Sequence, residues 1–195
     1  MSVLIFAEQA DGHIKKSSLE ALTYGAELAA KLSTEAEALV LGGPSGDLAG
    51  LGKYGVKKVH HVTNSGFDHL DAGVYAAAIA AAVTATGATV LVLSHNQTGK
   101  AVASMVAARL KAGVVTGAVA LPDTSAGFVV KKSVFSGKAF ANVQIDSAVK
   151  VISLNPNSFH ITTGEGTAEV APLEVAATAS KVKVTAVNKV SGEVP

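Results

Sequence analysis

From residue 3 to residue 121 the chain alternates between short apolar runs and longer stretches whose apolar residues recur at helical spacing. Residues 3–7 (VLIFA), 36–41 (AEALVL), 58–62 (KVHHV) and 90–93 (VLVL) read as strands, most of them buried on both faces of a parallel sheet. Ser17 or Ser18 is placed to cap a helix running to about Leu32, with Leu19, Leu22, Ala26 and Ala29 on its inner face. A short helix is expected over 47–54. An alanine-rich one follows over 72–86, capped near Asp71 and stopped by Gly87. Residues 90–121 hold a strand, a polar turn over 94–100, an amphipathic helix and a second strand. That helix is expected to carry Val102, Met105, Val106 and Leu110 inward and Lys100, Ser104 and Lys111 outward.

After Leu121 the pattern changes. Residues 128–135, 139–145 and 149–154 are β-rich at turn-length spacing and read as antiparallel strands, added to the sheet or forming a flap. Residues 165–180 and 182–187 have the alternation of edge strands, and 188–195 is polar and linker-like. The expected fold is α/β, a three-layer α/β/α arrangement with a mostly parallel sheet and extra antiparallel strands in the C-terminal third. The division is an α/β domain over 1–175, with an edge strand and linker over 176–195.

Composition narrows the chemistry. Hydrophobic residues make up 49% and charged residues 16% of the chain, so a full core is easily built and the surface is poor in charge. A net charge of +1, without a Lys/Arg block and with 5% aromatics, argues against nucleic acid as a partner. The absence of cysteine removes disulfides, thiolate metal sites and thiol nucleophiles. No run approaches the roughly 20 apolar residues needed to cross a bilayer, and MSVLIFAE lacks the basic start of a signal peptide. A cytoplasmic protein, if the source is bacterial, is the expectation.

The turn Ser94-His95-Asn96-Gln97-Thr98-Gly99-Lys100-Ala101 approaches the phosphate-binding pattern G-x-x-x-x-G-K-[ST]. Ser94 replaces its first Gly and Ala101 its hydroxyl residue. What remains is an anion edge, with Ser94, Asn96, Gly99 and Lys100 as weak candidates beside a helix start. The alternative is that Gly99 and Lys100 simply open a surface helix. The six histidines show no zinc-type spacing, and no G-x-S-x-G elbow occurs. Glu8 and Asp11 are the nearest thing to an acidic pair and read as a solvated turn. No catalytic set and no metal site is expected.

Four segments together resemble one family. VLIFAEQADGHIKKSSLEALTYGAELA is similar to the start of the α subunit of electron transfer flavoprotein, and SHNQTGK with AVASMVAARL and GVVTGAV to its loop-helix-strand segment. FSGKAFANVQ resembles its hairpin and VISLNPNSF its strand before a turn and Phe. The resemblance implies a heterodimeric electron carrier. Its α subunit has an N-terminal α/β domain followed by a domain that holds FAD, and its β subunit binds AMP. Electrons arrive from dehydrogenases, notably acyl-CoA dehydrogenases, and leave to a quinone reductase. In that family a Gly-Gly-Arg-bearing strand opens the FAD domain soon after a linker, about where residue 195 stands. This sequence is therefore expected to be the N-terminal domain alone, docking the β subunit and holding no FAD itself. Met105 and Asn155 stand where relatives often have Arg, and Gly117 where Asp is common, so charged contacts at those positions are not carried over. A second reading is a stand-alone adenine-nucleotide-binding domain of the adenine nucleotide α-hydrolase-like kind, using Ser94 to Lys100 for phosphate.

Overall fold

The computed structural model describes residues 2–43, 46–176 and 178–188. Strand β1 (Ser2–Phe6) is buried at every position and lies inside the sheet. A tight hairpin of β2 (Gln9–Ala10) and β3 (His13–Ile14) follows, turned by Asp11 and Gly12 at positive φ. It delivers the chain into α1 (Lys16–Lys31). Then come β4 (Glu35–Leu41), a 3₁₀ turn over Ala49–Tyr54, β5 (Lys58–Val62) and α2 (Ala72–Thr86). Next are β6 (Val90–Ser94), α3 (Gln97–Leu110) and β7 (Gly113–Ala118). The last third holds β8 (Val129–Val134), β9 (Ala139–Gln144), β10 (Lys150–Leu154) and β11 (Glu169–Pro172).

Among the described residues, nine strands form one sheet in the order β11-β5-β4-β1-β6-β10-β7-β8-β9, parallel from β11 to β7 and antiparallel from β7 to β9. Period-two alternation in the strands splits the core into two layers. Val3, Ile5, Ala38, Val40, Val90 and Val92 pack beneath α1. Leu4, Phe6, Leu39, Leu41, Leu91 and Leu93 pack beneath α2 and α3. Helices on both faces make the three layers expected of such a chain. Each fully buried Leu or Ile contributes roughly 2 kcal/mol by leaving water. No helix among the described residues is long and apolar enough to cross a membrane.

Several local expectations are corrected. α1 starts after Lys15, which makes no side-chain cap. Ser18 is buried inside the helix, its hydroxyl bonded to the backbone of Glu8. α3 begins at Gln97 rather than after the turn, capped by Asn96. Its inner face is Val102, Ala103, Val106 and Ala107, while Met105 is 38% exposed. At about 100° per residue the buried stripe runs through Gly99, Val102, Ala103, Val106 and Ala107, and Met105 lies beyond its edge on the Val102 side.

The largest correction concerns residues 149–154. They form no antiparallel addition; β10 runs parallel between β6 and β7. The unit β6-α3-β7 therefore skips one place in the sheet. The edge strand is Glu169–Pro172, parallel to β5, and residues 182–187 adopt no strand. Residues 177 and 189–195, most of the expected linker, lie outside the described residues.

Candidate functional site

In an open parallel sheet, crossovers leaving two adjacent central strands in opposite directions open a crevice between them at the carboxyl edge. Here those strands are β1, which leads through α1 to β4, and β6, which leads through α3 to β7. Glu8 follows β1, and Asn96 to Thr98 open α3 after β6. Glu8 is only 8% exposed, so it is not the solvated turn residue expected. Its Oε2 accepts from Asn96 Nδ2 at 2.6 Å, and its Oε1 accepts from Thr98 Oγ1 at 2.6 Å and from Lys15 Nζ at 2.5 Å. Its own N–H donates to Ser18 Oγ at 2.9 Å. A carboxylate of the chain thus sits at the N-terminus of α3, the place where a phosphate would exploit the helix dipole.

The four anion candidates separate. Asn96 caps α3 through Oδ1, which accepts from the Gly99 N–H at 2.9 Å, and gives its amide to Glu8. Gly99 is demanded by packing: a Cβ there would meet the Ser94 carbonyl oxygen at 1.8 Å, so helix and strand approach only because the side chain is missing. Ser94 is buried, and its Oγ has no partner among the described residues. Lys100 is exposed and points no bond into the crevice among the described residues.

Above Glu8 lies a cleft of about 610 Å³. Glu8, Asp11 and Asp68 line it, with Lys15 and His69. Tyr75 also lines it, its hydroxyl donating to the Phe67 carbonyl at 2.7 Å. Burial, with the carboxylates of Glu8 and Asp68 nearby, pushes the Tyr75 phenol up to about 12. FAD carries a pyrophosphate, and these residues do not fit one. The helix start is already occupied by Glu8, and the cleft offers the carboxylates of Glu8, Asp11 and Asp68 against the single lysine, Lys15.

The other half of the edge is basic. His95 Nδ1 lies 2.9 Å from Ser153 Oγ on β10. Burial first, then Lys100 and Lys132, hold His95 below the ordinary histidine range, which favours the neutral ring. Beside it Gly117 has φ +77, and a Cβ there would lie 3.7 Å from Asn155 Oδ1 and from the His95 ring. The left-handed backbone suits a glycine there. His60 and His61, adjacent on β5, point apart, as alternation in a strand requires: His60 pairs with Glu37 at 2.6 Å and His61 Nε2 meets the Gly42 carbonyl at 2.7 Å. Asp71 caps α2. No metal-ligand cluster occurs among the described residues.

The sequence agrees over most of its length with known proteins. The family model "Electron transfer flavoprotein domain" matches residues 3–185. Electron transfer flavoprotein subunit alpha of Syntrophomonas wolfei is 30% identical over 179 residues, 91% of this chain and 55% of the relative. The subunit of the same description from Mycobacterium leprae is 27% identical over 187 residues, 94% of this chain and 56% of the relative. Protein FixB of Clostridium saccharobutylicum is 30% identical over 112 residues, 57% of this chain and 34% of the relative. The chain spans about half the length of the first two.

Proposed function

Because the chain belongs to the electron transfer flavoprotein domain family, we propose that it is the scaffolding, N-terminal domain of an electron transfer flavoprotein α subunit. In this reading it performs no bond chemistry. It supports a FAD-binding portion of the subunit that lies outside these residues, and it docks the β subunit. The assembled carrier takes electrons from acyl-CoA or other dehydrogenases and passes them to a quinone reductase of the respiratory chain, in a bacterial cytoplasm. Such a carrier moves electrons between enzymes, so this domain needs stiffness and surfaces more than reactive groups.

The observation that carries the reading is Glu8. In a domain of this family whose own carboxylate takes the helix start at the switch point, an internal tie stands where a ligand's phosphate would sit. Through Ser18, Asn96 and Thr98 that tie joins the end of β1 to α1 and α3 in place of a nucleotide. Hydrogen bonds to a charged group contribute about 1.5–3 kcal/mol each when buried, so the exchange favours rigidity. The stand-alone nucleotide-binding reading loses ground for the same reason.

The test is a flavin titration of the purified 195-residue chain, followed by co-expression with an electron transfer flavoprotein β subunit of the same organism. The isolated chain is expected to bind neither FAD nor AMP and to co-purify with the β subunit. Stoichiometric flavin on the isolated chain overturns the proposal.

A further inference from the structure

A second cleft opens between the first turn of α1 and the loop that follows β10, and it shares no lining residue with the cleft above Glu8. Its volume is about 390 Å³, and Lys16, Glu20, Phe159, His160 and Ile161 help to line it. That is the small end of the roughly 300–1,000 Å³ range of ligand pockets.

Glu20 marks this cleft chemically. It is 3% exposed, and its Oε2 accepts from the Asn157 N–H at 2.7 Å. No hydrogen bond reaches its Oε1 among the described residues. A glutamate this deeply placed is ordinarily paired with a cation, yet among the described residues none stands within ion-pair distance. Asn157, in the left-handed conformation (φ 61), turns its N–H to the acid and so ties the loop to α1. Lys16 lies four positions before Glu20, on the same side of α1, and is exposed. Opposite charges at that spacing commonly pair, but these two share the cleft unjoined. Phe159 supplies an apolar wall, its ring held edge-on to the buried Tyr24 at 5.3 Å, and Ile161 adds to it.

A ligand that completes these groups carries an ammonium for Glu20, an anion for Lys16 at the rim and a compact apolar portion for Phe159 and Ile161. We propose that this cleft binds a free α-amino acid with an apolar side chain, its ammonium on Glu20 Oε1 and its carboxylate toward Lys16. Binding leaves the Asn157 bond intact and supplies the charged donor that Glu20 lacks. The proposal goes beyond the scaffold reading and does not rest on it, since neither flavin nor a partner subunit enters it.

The experiment records amide NMR spectra of the 195-residue chain during titration with three probes. These are L-leucine, isopentylamine (the same skeleton without the carboxylate) and 4-methylpentanoate (without the ammonium). L-Leucine is expected to shift the Asn157, Phe159 and Ile161 amides and to saturate in the millimolar range or below. Isopentylamine is expected to bind roughly two- to fivefold more weakly, as the loss of an exposed ion pair does. 4-Methylpentanoate is expected to bind at least about tenfold more weakly, as the loss of a hydrogen bond to a buried charge does. Glu20→Gln keeps an acceptor for the Asn157 N–H and removes the charge, and it is expected to lose leucine affinity by at least about tenfold. Lys16→Ala is expected to weaken leucine and leave isopentylamine unchanged. No leucine-dependent shift at these amides overturns the proposal. So does equal binding of leucine and 4-methylpentanoate by the wild type, a comparison that holds even if Glu20→Gln does not fold. A folded Glu20→Gln that binds leucine as the wild type does overturns it too, and leaves Glu20 as an anchor for the loop alone.

Discussion

Gly99 and Lys100 stand next to each other in the only stretch that approaches a phosphate loop, and their physical roles are opposite. Gly99 lets the first turn of α3 lie against the end of β6, since a methyl group would sit 1.8 Å from a backbone oxygen that cannot swing aside. Gly99→Ala is expected to cost about 3 kcal/mol or more, or to prevent folding, as overpacking against rigid backbone does. Lys100→Ala is expected to stay within about 0.5 kcal/mol of wild type, as an exposed position does. Urea unfolding of the two variants side by side checks this; equal effects would contradict it. The sequence made Gly99 visible but left its purpose open between ligand and packing. Glu8 was harder to place, because its partners Asn96 and Thr98 lie 88 and 90 positions away. No local pattern joins residues so far apart. The one nearby hint is Ser18, whose hydroxyl serves Glu8 and so is unavailable as a helix cap.

Among the elements, α2 has a double tie at its start. Asp71 Oδ1 accepts from the N–H groups of Gly73 and Val74, and Oδ2 accepts from Ser180 Oγ at 2.5 Å. The Ser180 hydroxyl, then the helix amides, hold the Asp71 carboxyl below its usual range. Asp71→Ala is expected to speed hydrogen exchange of the Gly73 and Val74 amides on the order of fivefold and to release residues 178–188. Ser180→Ala is expected to release the tail alone; matching exchange at α2 in both variants would refute the division. The helices, the N-terminal strands and the cap at Asp71 were all legible from period and punctuation. β10 was misassigned because it follows a hairpin at turn-length spacing. Its own pattern held the correction: VISL is buried at every position, whereas AFANVQ of β9 alternates. A run without alternation belongs inside a parallel sheet.

For the whole molecule, two deeply placed phenols set an alkaline limit. The Tyr24 hydroxyl donates to the Ala120 carbonyl at 3.0 Å and packs edge-on to Phe159 at 5.3 Å. Burial raises it well above the usual tyrosine range, and Tyr75 is raised to about 12. Unfolded phenols ionise near pH 10, roughly the free value, while the folded chain keeps both protons. In that window the unfolded state holds fewer protons, so stability falls as pH rises. It is fully present below about pH 10 and is lost as pH climbs through the folded values. The urea midpoint is expected to drop above pH 10 in wild type, and Tyr24→Phe and Tyr75→Phe are each expected to flatten the drop. An unchanged slope in both would exclude the phenols as its cause. The three-layer class itself was legible because alternation of strands and helices is a whole-chain signal. The exposure of Phe135 and Phe140 on the β8–β9 hairpin was not, since exposure depends on which strand ends the sheet.

The central place of β10 also sets a timetable for synthesis. When residues up to 145 have been made, β6 and β7 are both present, yet in the finished sheet they stand on either side of a neighbour still to come, each about 5 Å from it. Their native inner edges have no partner until residues 150–154 are made and can enter between them. The β8–β9 hairpin, made just before, belongs to the outer half. The last-arriving buried strand is thus the one that joins the sheet, and no shorter nascent chain closes it.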